Sequence, residues 1–103
     1  MRKREIVRAN GVALCAQRFG DAGDPAILLI HGATASMDAW DTALCAGLAK
    51  TGRHVIRYDH RDTGRSTRAY DEHPYAVPDL ASDAIAVLDA LGVGRAHVVG
   101  AAL

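Results

Sequence analysis

His97-Val98-Val99-Gly100-Ala101-Ala102-Leu103 is the stretch on which the reading of the fold turns. Val98 and Val99 suit a buried strand, and the residues that follow are small up to Leu103. A strand that runs into a crowded turn of small residues has the form of the opening half of a Gly-x-Ser-x-Gly elbow. Small neighbours are required there because the backbone is strained and closely approached. The third position of the pattern carries the nucleophile. Here that position is Ala102, a methyl group in place of a hydroxyl, and the second glycine of the pattern would fall after Leu103.

The segments upstream alternate in type. Ala26-Ile27-Leu28-Leu29-Ile30 is apolar without alternation, which suits a strand buried on both faces of a parallel sheet. His54-Val55-Ile56-Arg57-Tyr58 and Ala96-His97-Val98-Val99 are read as further strands. Between the first two lies a helix expected to be capped by Ser36 or Asp38, with Trp40, Ala43, Leu44, Gly47 and Leu48 on one face. Lys50 and Gly52 mark its end. A second helix is expected from Pro78 at its first position, with Leu80, Ala84, Val87, Leu88 and Leu91 on one face and Gly92 as its stop. At the start, Glu5-Ile6-Val7-Arg8 and Val12-Ala13-Leu14-Cys15-Ala16 flank Asn10-Gly11, a pair that accepts positive φ and so predicts a hairpin. A hairpin followed by two βαβ units specifies an α/β fold with a mostly parallel sheet.

Two loops carry chemistry. After the 26–30 strand comes His31-Gly32-Ala33-Thr34. Acyl transfer needs backbone N–H groups aimed at a developing oxyanion. A His-Gly loop leaves the backbone open for such an approach, and the candidate donor is the N–H of Ala33. The other loop is Tyr58-Asp59-His60-Arg61-Asp62-Thr63-Gly64-Arg65-Ser66. Its carboxylates and His60 lack a spacing that would aim them at one ion. A structural role is expected, in which the loop hydrogen-bonds to itself at the carboxyl end of the sheet. Trp40 has two readings, as pocket lining beside the oxyanion loop or as core. His54 and His97 are expected to be structural.

Composition narrows the classes further. The 103 residues are half hydrophobic and 23% charged, with zero net charge. This is a globular balance of a single domain and gives no electrostatic case for nucleic acid or an anionic membrane. No apolar run is long enough for a secretory leader or a transmembrane helix. Cys15 and Cys45 are expected to be buried free thiols, and the expected compartment is the cytoplasm.

The succession of strand, His-Gly loop, helix, strand, Asp-x-Arg-x-x-Gly-x-Ser loop, helix, strand and Gly-x-x resembles the N-terminal half of the α/β-hydrolase fold. Residues 55–66, His73-Pro74-Tyr75 and Ala96-His97-Val98-Val99-Gly100 are similar to the aclacinomycin methylesterase branch of small bacterial esterases. The resemblance implies a serine esterase with a Ser-His-Asp triad, acting on a small-molecule ester without cofactor or metal. It implies oxyanion donors at the N–H groups of Ala33, after His31-Gly32, and of Leu103, after the nucleophile position. It puts the acid and the histidine base beyond residue 103, so none of the five histidines present is the base. Residues 1–103 are then expected to be the N-terminal part of one hydrolase domain, cut at the elbow, with the remainder of the same protein as a complementary chain.

Three readings stay open. One is an esterase fragment with serine replaced by alanine at position 102. Another is a ligand-binding pseudoenzyme that keeps the pocket without the nucleophile. The third is a lyase or cofactor-free oxygenase that uses the oxyanion loop without covalent catalysis.

Overall fold

The computed structural model describes residues 4–33, 35–68, 70 and 74–101. The elements are β1 (Glu5–Ala9), β2 (Val12–Phe19), β3 (Ala26–Ile30), α1 (Thr42–Lys50), β4 (His54–Tyr58), α2 (Val77–Ala90) and β5 (Ala96–Gly100). They form one mixed sheet in the order β1-β2-β4-β3-β5. β1–β2 and β2–β4 are antiparallel, while β3 pairs in parallel with both β4 and β5.

The turn at Asn10-Gly11 has φ of 53° and 79° and joins Ala9 directly to its partner Val12. This is the conformation for which Asn-Gly is selected. β2 runs three residues beyond the expected 12–16. Its second half, from Ala16 to Phe19, pairs with β4. The polar residues Gln17 and Arg18 conceal this in the sequence, but both are engaged. Gln17 Oε1 accepts from the Arg57 guanidinium, and Arg18 is paired with Glu5.

The unbroken apolar run of β3 follows from its two covered faces. On one face Leu28, Ile56, Tyr58, Leu14 and Ala16 pack with Ala84 and Val87 of α2. On the other, Leu29, Val55 and Phe19 pack with Cys45 of α1, supported by Trp40, Leu48 and Ala49. Alternate residues of one strand thus feed opposite layers, as the pleat dictates. Cys15 and Cys45 are buried and free, and burial pushes both thiols above their ordinary pKa. Among the described residues no helix is long and apolar enough to cross a membrane.

The first helix differs from expectation. Ser36 caps only a 3-10 turn, Met37–Ala39, and Trp40 lies after that turn, outside the helix. α1 starts afresh at Thr42, where the Asp41 carboxylate accepts from the Leu44 N–H at 2.7 Å. Counting periodicity from Trp40 therefore selected the wrong face. Ala43 and Gly47 are exposed, Leu44 is 44% exposed, and Cys45 with Leu48 and Ala49 faces the sheet. In α2, Val77 precedes Pro78, so the proline takes the second helical position. The Asp79 carboxylate reaches back to the Ala76 N–H at 2.8 Å and completes that helix start.

Candidate active site

β3, β4 and β5 point the same way, so residues 31–33, 59–66 and 101 leave the sheet at one end. The register Ile30↔Gly100 closes the β3–β5 ladder. One step further, the Ala101 N–H donates to the Ile30 carbonyl at 3.0 Å. Ala101, just after β5, and the His-Gly loop after β3 therefore start side by side. Ligands of open α/β sheets bind at this carboxyl end. Ala102 and Leu103, the expected nucleophile position and the expected second donor, lie outside the described residues, as do Thr34 and His73.

The Gly32 carbonyl accepts from the Ala35 N–H at 3.2 Å, and Ala33 lies in a turn. Ala33 sits exposed on that turn, and no described residue accepts its N–H. The His31 side chain, in contrast, is 1% exposed. Its Nε2 accepts from the His60 N–H at 3.0 Å. A peptide N–H can only donate, so Nε2 is unprotonated and Nδ1 carries the proton. That proton is directed at the Gly32 carbonyl, 2.6 Å away. His31 is thus committed to shaping its own loop.

The 59–66 loop is held partly by its own groups, as expected, and partly by backbone N–H groups of Cys15 and Met37. Buried Asp59 accepts from the Met37 N–H at 2.8 Å and from the Arg65 N–H at 3.0 Å. Its carbonyl accepts from the Ser66 hydroxyl at 2.7 Å, whose oxygen accepts from the Cys15 N–H at 2.9 Å. Gly64 has φ of 49° and presses on the Asp59 carboxylate. A buried carboxylate requires such a set of donors, and here they tie β2, β4 and the segment after the His-Gly loop together. Among the described residues no group of three or more histidine, cysteine or acidic side chains gathers in a way that would hold a metal ion.

Below this loop lies an ion pair that pattern reading missed. Asp83 of α2, 0% exposed, accepts from Arg61 Nε at 2.7 Å and Nη2 at 2.8 Å, and from Asn10 at 3.0 Å. The hydrogen bond to Asp83 holds the Arg61 guanidinium above its ordinary pKa. The available signal was an aspartate at the position between Leu80 and Val87 on the apolar face of α2. Arg57 makes a second buried anchor, donating to Gln17 and to the Trp40 carbonyl at 2.6 Å. The Trp40 side chain packs against the Phe19–Leu29–Cys45–Val55 cluster.

A cleft of about 590 Å³ opens at the opposite end of the sheet, lined by Asp24, Arg53, His54, Arg95 and His97 among others. It lies at the amino ends of the parallel strands, away from the two loops.

The fold and the paired loops define an α/β hydrolase framework, and the chain belongs to the α/β-hydrolase fold family, whose family model matches residues 25–102. It is 48% identical to rhodomycin D methylesterase DauP of Streptomyces sp. (strain C5), over 95% of this chain and 33% of that protein. It is 44% identical to the putative carbamate hydrolase RutD of Caulobacter segnis, over 77% of this chain and 29% of that protein. Among solved structures, epoxide hydrolase A from Mycobacterium thermoresistibile superimposes with a TM-score of 0.85 at 29% identity, over 97% of this chain and 31% of that chain. The chain spans about a third of the length of these relatives.

Proposed function

We propose that residues 1–103 are the N-terminal part of an esterase-type α/β hydrolase domain, with Ala102 at the position of the serine nucleophile. The observation that carries this reading is the β3–β5 register, with the Ala101 N–H on the Ile30 carbonyl. It sets Ala101 beside the start of the loop on which Ala33 carries an N–H that no described residue accepts, and this supports an elbow in the residues that follow. Ala33 and Leu103 N–H groups are the two oxyanion donors in this reading, and His31 and Gly32 form the loop that presents the first. The rest of the same protein packs on β5 and supplies the acid and base. The methylesterase relatives favour a carboxylic methyl ester of a polyketide type as substrate, and the two free cysteines favour the cytoplasm.

The test compares full-length protein bearing Ala102 with the Ala102→Ser variant on a panel of methyl and aryl esters. Saturable hydrolysis is expected from the serine variant. The alanine protein is expected to retain only the residual rate that an oxyanion hole and binding provide, about 10³–10⁴-fold over water in the subtilisin precedent. A correctly folded serine variant that hydrolyses none of the panel overturns the esterase reading. In that case tight ester binding without turnover would favour the pseudoenzyme, the second reading that Ala102 itself supports.

A further inference from the structure

We propose that His60 is a positioning residue for the oxyanion loop, clamping His31 at both its ring and its carbonyl so that the Ala33 N–H faces the elbow. This rests on the hydrolase reading above and adds a residue to its machinery.

Two hydrogen bonds join the pair, and His60 donates both of them. The His60 N–H donates to His31 Nε2 at 3.0 Å. Its side chain adds the second: His60 Nε2 lies 3.1 Å from the His31 carbonyl, which only accepts, so Nε2 carries the His60 proton. The rings meet edge to face with centroids 4.4 Å apart. Thr63 donates its hydroxyl to the His60 carbonyl at 2.7 Å, and the same oxygen lies 3.2 Å from His31 Nε2, so it touches both members of the clamp. His60 Nδ1 is buried and has no partner among the described residues. Leaving it so carries a desolvation cost, and a leucine there would avoid that cost while filling space. The ring is therefore held for what its other nitrogen does.

The carbonyl that His60 grips belongs to the peptide leading into Gly32. Fixing that peptide plane fixes the direction from which the chain enters the turn carrying Ala33. Oxyanion donors act on the transition state, so misaiming one lowers kcat and leaves KM in place.

His60→Phe keeps a ring but removes the donor, whereas His60→Gln restores an N–H near the place of Nε2. In full-length Ala102→Ser protein, His60→Phe should lower kcat about 10-fold at unchanged KM, and His60→Gln should recover most of it. In the alanine protein, the Gly32 and Ala33 amide resonances should move in His60→Phe and return in His60→Gln. In the unsubstituted protein, nitrogen-15 spectra should find His31 protonated at Nδ1 and accepting at Nε2, a readout independent of whether any variant folds. A His60→Phe protein with unchanged kcat, unmoved Ala33 resonances, or a His31 in the other tautomer overturns the proposal. Moved and rescued resonances with no ester hydrolysis in the serine background would sink the hydrolase reading and leave the His60–Ala33 coupling standing.

Discussion

Replacing Gly64 with alanine is expected to destabilise the protein by about 2 kcal/mol or more, because the new methyl meets the Asp59 carboxylate at a backbone angle that side chains resist. Urea unfolding of Gly64→Ala measures this, and a loss below half that size would show that the loop yields. Asp83→Ala leaves Arg61 buried without its partner, and removal of one member of such a pair costs about 3–5 kcal/mol. Asp83→Leu with Arg61→Met should recover much of the loss, since a matched apolar pair carries no desolvation cost. Acid sensitivity also belongs to single residues. Burial pushes His54 and His60 below the ordinary 6.5, with His31 adding to the effect at His60. The folded state then binds fewer protons than the unfolded one. Their contribution is complete above about pH 6.5 and is lost as pH falls toward their folded values. Tyr58 is pushed up by burial from the ordinary 10.0, so its contribution holds below pH 10 and fades above it. A urea midpoint that fell on neither side of this window would refute both assignments.

At the level of elements, α1 provides a sharp test of where a helix begins. Asp41→Ala should cost about 1 kcal/mol through loss of the N-cap, whereas Ser36→Ala should loosen only the 3-10 turn and leave the thermal midpoint nearly unchanged. Equal effects from both would mean that one continuous helix starts at Ser36. The sequence pointed to Ser36 and Asp38 because both are good caps. It concealed Asp41 because the register of α1 depends on a tertiary contact, the Asp59 carboxylate holding Met37 N–H twenty-two residues upstream. Strands were easier to read. β4 was legible to the residue and β5 to within one, since an apolar run between polar loops has little freedom of placement in a parallel sheet. Of the proposed site, the His31-Gly32-Ala33 loop was legible as a loop at a strand exit, and Asp59–Ser66 was legible as a structural loop beside it. The His31–His60 clamp and the Arg61–Asp83 pair were not. Each joins residues that are distant in the chain, and no local period records such a contact.

For the whole molecule, the exposed strand β5 is the feature that sets behaviour. It forms an edge of the sheet, and Val98 and Val99, on its two faces, are 59% and 45% exposed. A parallel strand wants cover on both faces and a partner on each side. Residues 1–103 expressed alone are expected to associate or to unfold without a cooperative transition, and to become a stable unit when the remainder of the protein is supplied. Sedimentation with thermal unfolding decides this. A soluble monomer with a sharp transition would contradict it. The ladder between β3 and β5 also works as a ruler. Each residue advances a strand by about 3.3 Å, so sliding β5 by two residues keeps every side chain on its face yet carries Ala101 roughly 6.6 Å away from Ile30. Extra residues in the Gly92–Arg95 bend, at the far end of the sheet, leave that measure intact. One residue inserted between Ala96 and Ala101 spoils it. Tolerance to insertion should therefore change abruptly at Ala96, marking along the chain where length ceases to be filler and becomes aim.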